Sequence, residues 1–221
     1  MYNLFMKQTK QNYLIQHLKK LQLLGFEYIK PITQDQLEES IIHFPKNEQL
    51  LSSHVANCNL CELAKTKENS AMVNYGQPHN KIYVVATNSK QMGKEQLDTL
   101  KSMIEKVINI PFEEVYLTHL IQCHSPIQSQ AQLTSSIDIC KDYLDAKLKI
   151  HHPKLIITLG DAFGYLTNFE QKLFEVSGNL FKYNTIDLIG VQHPYYLQKN
   201  PSYKQRTFED LKKIKHHLEN I

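Results

Sequence analysis

Arginine is almost missing from this chain: of 25 basic residues only Arg206 carries a guanidinium. A function needing several rigid bidentate forks on phosphates or carboxylates is therefore poorly served. Long apolar runs are missing too, and none approaches the roughly 20 residues of a membrane span. The opening MYNLFMKQTKQNY has neither an apolar stretch nor a small-residue cleavage site, so no leader peptide is expected. There is no internal repeat and no low-complexity tract. These absences exclude a membrane partner and predict a cytoplasmic, reducing setting, where four cysteines argue for metal or redox chemistry before disulfides. What is present suffices for a real core. The chain has 221 residues and is 42% hydrophobic, which suggests one large domain or a domain with an N-terminal appendage.

Taken in order, Gln11–Leu24 places Leu14, Leu18 and Leu21 at helical spacing and stops at Gly25. Thr33 with Gln36 marks the start of a second short helix. We read residues 1–50 as a helical extension and 51–221 as the main domain. Strands are expected at Lys81–Thr87, Val115–Ile121, Leu155–Leu159 and Thr185–Val191, each rich in β-branched or aromatic residues. Between them, helices are expected over Gly93–Asn109, Ser135–Ile150 and from Asp161. This alternation predicts an α/β fold with a central, mostly parallel sheet and helices on both faces. In such folds ligands sit beyond the carboxyl ends of the strands. The candidates there are Thr87, Asn88 and Ser89 after the first strand, His119 in the second, and His193 after the last.

The final stretch is basic. From Lys199 onward, Lys199, Lys204, Arg206, Lys212, Lys213 and Lys215 face Glu209, Asp210 and Glu219, an excess of three that equals the net +3 of the whole chain. A polyanion would meet this end first. Ser202 with Gln205 predicts a capped helix start there, and Phe208, Leu211, Ile214 and Leu218 predict its inner stripe. The cysteines form two pairs, Cys58-x2-Cys61 and Cys123-x16-Cys140. The tight pair suits one metal. One ligand at a strand end and one inside a helix suit a larger cluster on four thiolates. By spacing, zinc and a cluster are close competitors.

Several segments in this order resemble the family-4 uracil-DNA glycosylases. They are C-N-L-C-E-L (58–63), V-Y-L-T-H-L-I-Q-C-H-S-P (115–126), I-C-K-D-Y-L (139–144), H-P-K-L-I-I-T-L-G-D-A (152–162) and V-Q-H-P-Y-Y-L-Q-K-N-P-S-Y-K (191–204). The second is similar to the family's ITNxVKCRPP, the fourth to PKxIxxLGxxA and the last to HPxxLLRxPxxK. The resemblance implies a 4Fe–4S cluster on Cys58, Cys61, Cys123 and Cys140, with zinc the less favoured occupant. It also implies hydrolysis of the N-glycosidic bond of a flipped-out uracil, with His193 stabilising the leaving base. The partner implied is DNA, single-stranded or duplex with a flipped base, and the protein is expected to be a monomer.

The pocket motifs depart from the family. Where it reads GEAPG, this chain reads A-T-N-S-K (86–90), without the glutamate. Asn88 is the candidate for positioning water there. The uracil-reading asparagine is replaced by His119, which with Thr87 and Ser89 would contact the base, and the family's RG pair is Ser177-Gly178. Lys199, Lys204 and Arg206 are the candidate DNA contacts. Two functions follow: a glycosylase of weak or altered base specificity, or a non-catalytic DNA-binding scaffold that keeps the cluster.

Overall fold

Three five-residue stretches, Ile82–Ala86 (β1), Val115–His119 (β2) and Leu155–Leu159 (β3), have every side chain buried. A strand buried on both faces must lie inside a sheet covered by helices, and parallel neighbours need a crossover between them. The computed structural model, which describes residues 47–68, 74–167 and 172–220, supplies both. The helices expected within residues 1–46 lie outside the described residues.

The chain begins its described course with α1, Glu48–Ala56, whose Asn47 side chain accepts from the Leu50 N–H. After β1 comes α2, Lys94–Met103, extended by a π-helical turn at Ile104–Ile108 and stopped by a left-handed Asn109. β2 follows, then α3, Gln130–His151. β3 leads into α4, Ala162–Thr167, and α5, Leu173–Val176. The hairpin of β4 (Leu180–Tyr183) and β5 (Ile186–Val191) comes next, then α6, Pro194–Lys199, and α7, Lys204–Leu218.

The strand order is β2-β1-β3-β5-β4. β1 pairs in parallel with β2 and β3, and β3 with β5, in registers such as Val84↔Leu117, Val84↔Ile157 and Ile157↔Ile189. Among the described strands β4 alone runs antiparallel, at one edge, and an isolated antiparallel bridge joins Tyr75 to Leu117 of β2. Alternate strand residues face opposite layers. Val84, Ile157 and Ile189 pack with Leu100 and Ile104 beside α7 residues Leu211 and Ile214. Tyr83, Val85, Ile156 and Leu188 pack under Ile137, Leu144 and Leu148 of α3 and Phe163 of α4. The order reverses between β1 and β3, so the crevice expected of such sheets lies at their carboxyl ends.

Three local expectations are corrected. α3 starts at Gln130 rather than Ser135, because Ser129 caps it through the Gln132 N–H and its polar first turn resembled loop. β4, a short and half-exposed edge strand, gave no periodicity to read. The last helix has no Ser202 cap: Pro201–Tyr203 is a 3-10 turn, α7 begins at Lys204, and Gln205 bonds Glu209. Its buried stripe includes Thr207 and Asp210, leaving Phe208 39% exposed.

Candidate functional site

Four elements bring the cysteines to one pocket. Cys58 follows α1, Cys61 precedes a 3-10 turn at Glu62–Lys65, Cys123 follows β2, and Cys140 lies in α3. All four are free thiols, and with Val55, Ala64, Lys67, Gln122 and Tyr143 they line a single cavity. Lys67 holds the wall by donating to the Ala56 carbonyl at 2.6 Å. A hydrogen bond from Cys140 pulls the Cys61 thiol down to about 5, and the same bond with burial pushes Cys140 up. Burial, then the neighbouring Cys61 thiolate, raises Cys123 to about 11. One anion is thus tolerated here and further ones are opposed. Four thiolates together require a cationic group among them. Among the described residues no three His, Cys, Asp or Glu side chains form a ready-made nest for a metal ion. The fit rests on the donor set: four soft sulfur ligands on one largely apolar cavity suit a thiolate-held cluster, with zinc next.

The second locus is the carboxyl edge of the sheet. Thr87, Asn88 and Ser89 leave β1 buried. The Asn88 side-chain oxygen accepts from the Lys90 N–H at 2.7 Å, so one of its lone pairs is engaged in the turn. Ser89 Oγ lies 2.7 Å from His124 Nδ1, while His124 Nε2 is 3.6 Å from Glu68. His119 ends β2, in register with Ala86, and Gln122 donates to its carbonyl. His193 follows β5. It caps α6, its Nδ1 accepting from the Tyr195 N–H at 3.1 Å. That bond assigns the proton of the neutral ring to Nε2. Burial pushes His193 down to about 4, so it is neutral around pH 7. Its Nε2 is buried with no hydrogen-bond partner within the described protein. Gly160, at φ +58°, lets the chain turn against His193, since a Cβ there would stand 3.0 Å from that of His193.

Thr87, Asn88, Ser89, His119 and His193 therefore share one edge, with β3 between the β1 and β5 ends. Two strand spacings separate those ends, about 10 Å. The third locus is the surface after His193, where Lys199, Lys204 and Arg206 are all exposed. Lys199 stands 5.7 Å from the Tyr195 ring centroid and Arg206 5.9 Å from that of Phe174.

Sequence reasoning missed Lys147. It is fully buried, donates to Tyr116 Oη at 3.3 Å and Gln122 Oε1 at 3.2 Å, and burial pushes it down to about 8. The available signal was its position on the inward stripe Cys140, Leu144, Lys147 of α3. The link from Ser89 to His124 was also missed, because the two are 35 residues apart.

Comparison with known proteins places these observations. A family model described as the uracil DNA glycosylase superfamily matches residues 73–213. A type-4 uracil-DNA glycosylase of Sulfurisphaera tokodaii is 25% identical over 182 residues, covering 75% of this chain and 82% of the relative. Another type-4 uracil-DNA glycosylase, from Saccharolobus solfataricus, is 22% identical over 191 residues, 78% of this chain and 87% of the relative. Among the described residues no helix is long and apolar enough to cross a membrane.

Proposed function

We propose, from the premise that the chain belongs to the uracil DNA glycosylase superfamily, that it hydrolyses the N-glycosidic bond of uracil or a related damaged base in DNA. In this reading excision is weak or altered in base specificity, because the family's water-activating glutamate has no counterpart in residues 86–90. The observation that carries the proposal is the buried, unpartnered Nε2–H of His193. A flipped base that leaves with developing negative charge on its oxygen needs a donor that is already oriented and dry. A neutral imidazole fixed through Nδ1 meets that need without reorganising.

The other residues take supporting parts. Asn88 keeps its amide N–H groups and one lone pair for the attacking water, a weaker device than a carboxylate base. His119, Thr87 and Ser89 contact the base edge. Lys199, Lys204 and Arg206 meet the phosphates. Cys58, Cys61, Cys123 and Cys140 hold a 4Fe–4S cluster, zinc being the less favoured occupant. Bound there, a cluster would cross-link the segment after α1, the segment after β2 and α3, and would leave the chemistry at the base to the protein's own residues. Residues 51–221 make up the glycosylase-like domain and residues 1–50 an extension. The protein acts as a cytoplasmic monomer on single-stranded DNA or on duplex with a flipped base.

A second reading, a DNA-binding scaffold without catalysis, is favoured by one observation: the Asn88 oxygen is already engaged by Lys90. Alkali cleavage of labelled uracil-containing DNA decides between them. The glycosylase reading expects strand breaks with wild type and a loss of about 10²- to 10³-fold with His193→Ala. Cleavage of no damaged base by a protein that still binds DNA would leave the scaffold reading.

A further inference from the structure

The proposed chemistry makes no use of Lys147, which lies on α3 with none of its surface exposed. An ammonium taken that far from water costs free energy unless groups nearby compensate it. Its Nζ donates to Tyr116 Oη at 3.3 Å and to Gln122 Oε1 at 3.2 Å, and it stands 5.4 Å from the centroid of the Tyr116 ring. Both of these partners are neutral. The carboxylate of Glu48 favours the charged form, and it also lies 2.8 Å from His151 Nε2. Burial pushes Lys147 down to about 8, which still leaves the ammonium in the majority at pH 7.

Gln122 gives this charge a direction. It lines the cavity with Cys58, Cys61, Cys123 and Cys140, and it precedes Cys123 in the chain. Its Nε2 donates to the His119 carbonyl, which can only accept, and its Oε1 meets an ammonium, which can only donate. Both ends of the amide are thereby fixed. Lys147 also follows Cys140 by seven positions on α3, two turns and about 10 Å along one stripe. The cation thus stands one side chain away from the cavity, inside the protein, where salt screens it little. Lys67, also on the cavity wall, is only half-buried and is held by the Ala56 and Cys58 carbonyls. Four thiolates around an iron–sulfur core carry more negative charge than the core neutralises, and an added electron increases it. A buried cation nearby favours both the binding of that anion and its more reduced state.

We infer that Lys147 is the interior counter-charge of the thiol pocket: its ammonium, presented through Gln122, offsets the negative charge of a thiolate-held cluster and keeps the cluster's potential up. The inference rests on the cluster reading proposed above. The cysteines supply the bonds to the metal, and Lys147 supplies charge.

The test uses the full chain purified anaerobically with its metal. Iron release to a chelator is followed, and the midpoint potential of the one-electron couple is titrated with dithionite and ferricyanide. Wild type is compared with Lys147→Met, which keeps the stem without the charge, and with Lys147→Gln, which keeps a hydrogen-bonding head without the charge. Both variants are expected to release iron about tenfold faster or more and to show a lower midpoint potential, with the far-ultraviolet spectrum of the folded protein unchanged. Should one of them fail to fold, the other carries the test. Release and potential unchanged from wild type, or restored to wild type in Lys147→Gln, overturn the counter-charge and leave the cluster standing. Faster release at an unchanged potential also overturns it and makes Lys147 a packing residue. Wild type without iron overturns the cluster and the counter-charge together.

Discussion

His193 carries the most consequence per atom in this molecule, and its environment makes it measurable without turnover. Its ordinary value of 6.5 falls to about 4 because burial disfavours the imidazolium. The sign follows from linkage. Between those values the unfolded chain binds a proton that the native ring refuses, so stability is intact above pH 6.5 and declines as pH falls toward 4. The shift corresponds to about 3 kcal/mol across that window. His193→Gln, which cannot be protonated there, is expected to lose correspondingly less stability between pH 7 and pH 4.5 in urea titrations. An identical acid slope in wild type and variant would mean that the ring is not desolvated as described. The same neutrality predicts that His193 remains a hydrogen-bond donor throughout the neutral range. Asn88 shows the opposite case. Its type and place suit water, yet its oxygen already serves the Lys90 N–H, a local bond that sequence inspection alone left unnoticed.

At the level of elements, the thiol pocket lies where α1, the turn after it, the segment after β2 and α3 meet. α1 meets α3 through Leu51 and Val55 against Tyr143 and Ala146, with Cys58 packed against that contact. A group bound to all four sulfurs would tie α1, the segment after β2 and α3 into one body. Anaerobically purified protein is therefore expected to be brown, with broad absorption near ~400 nm and about four irons per chain. Cys140→Ser should lose iron and colour, and it should melt at a lower temperature than wild type. A colourless protein with one zinc per chain would remove the cluster and leave the fold standing. Lys147, bonded to the pocket residue Gln122, is a charged residue that α3 turns inward.

Across the whole molecule, charge and topology act together. The excess of three positive charges sits in the segment from Lys199 onward, on the helices that immediately follow the His193 end of β5. Phosphate contacts release counterions, so affinity for single strands falls with salt by about 0.7 logarithmic steps per contact. Replacing Lys199, Lys204 and Arg206 together by alanine is expected to flatten that slope by about 2, weakening all sequences alike. A slope unchanged by the triple variant would place the DNA-binding face elsewhere.

The parallel sheet was legible because β1, β2 and β3 are short, continuous, β-branched or aromatic runs, and that pattern is local. The C-terminal helix was only half legible. Its spacing identified Leu211 and Ile214, but the buried face is rotated to take in Thr207 and Asp210, a choice made by the neighbours it packs against. Composition and periodicity determined the α/β order, the basic end and the identity of the thiols, because each is a property of residue type and spacing along the chain. Only the tertiary structure decided that four cysteines from separate elements line one cavity, that Ser89 reaches His124, and that His193 holds its proton on a dry Nε2. Those depend on contacts between residues far apart in sequence and on how much water the packed chain excludes.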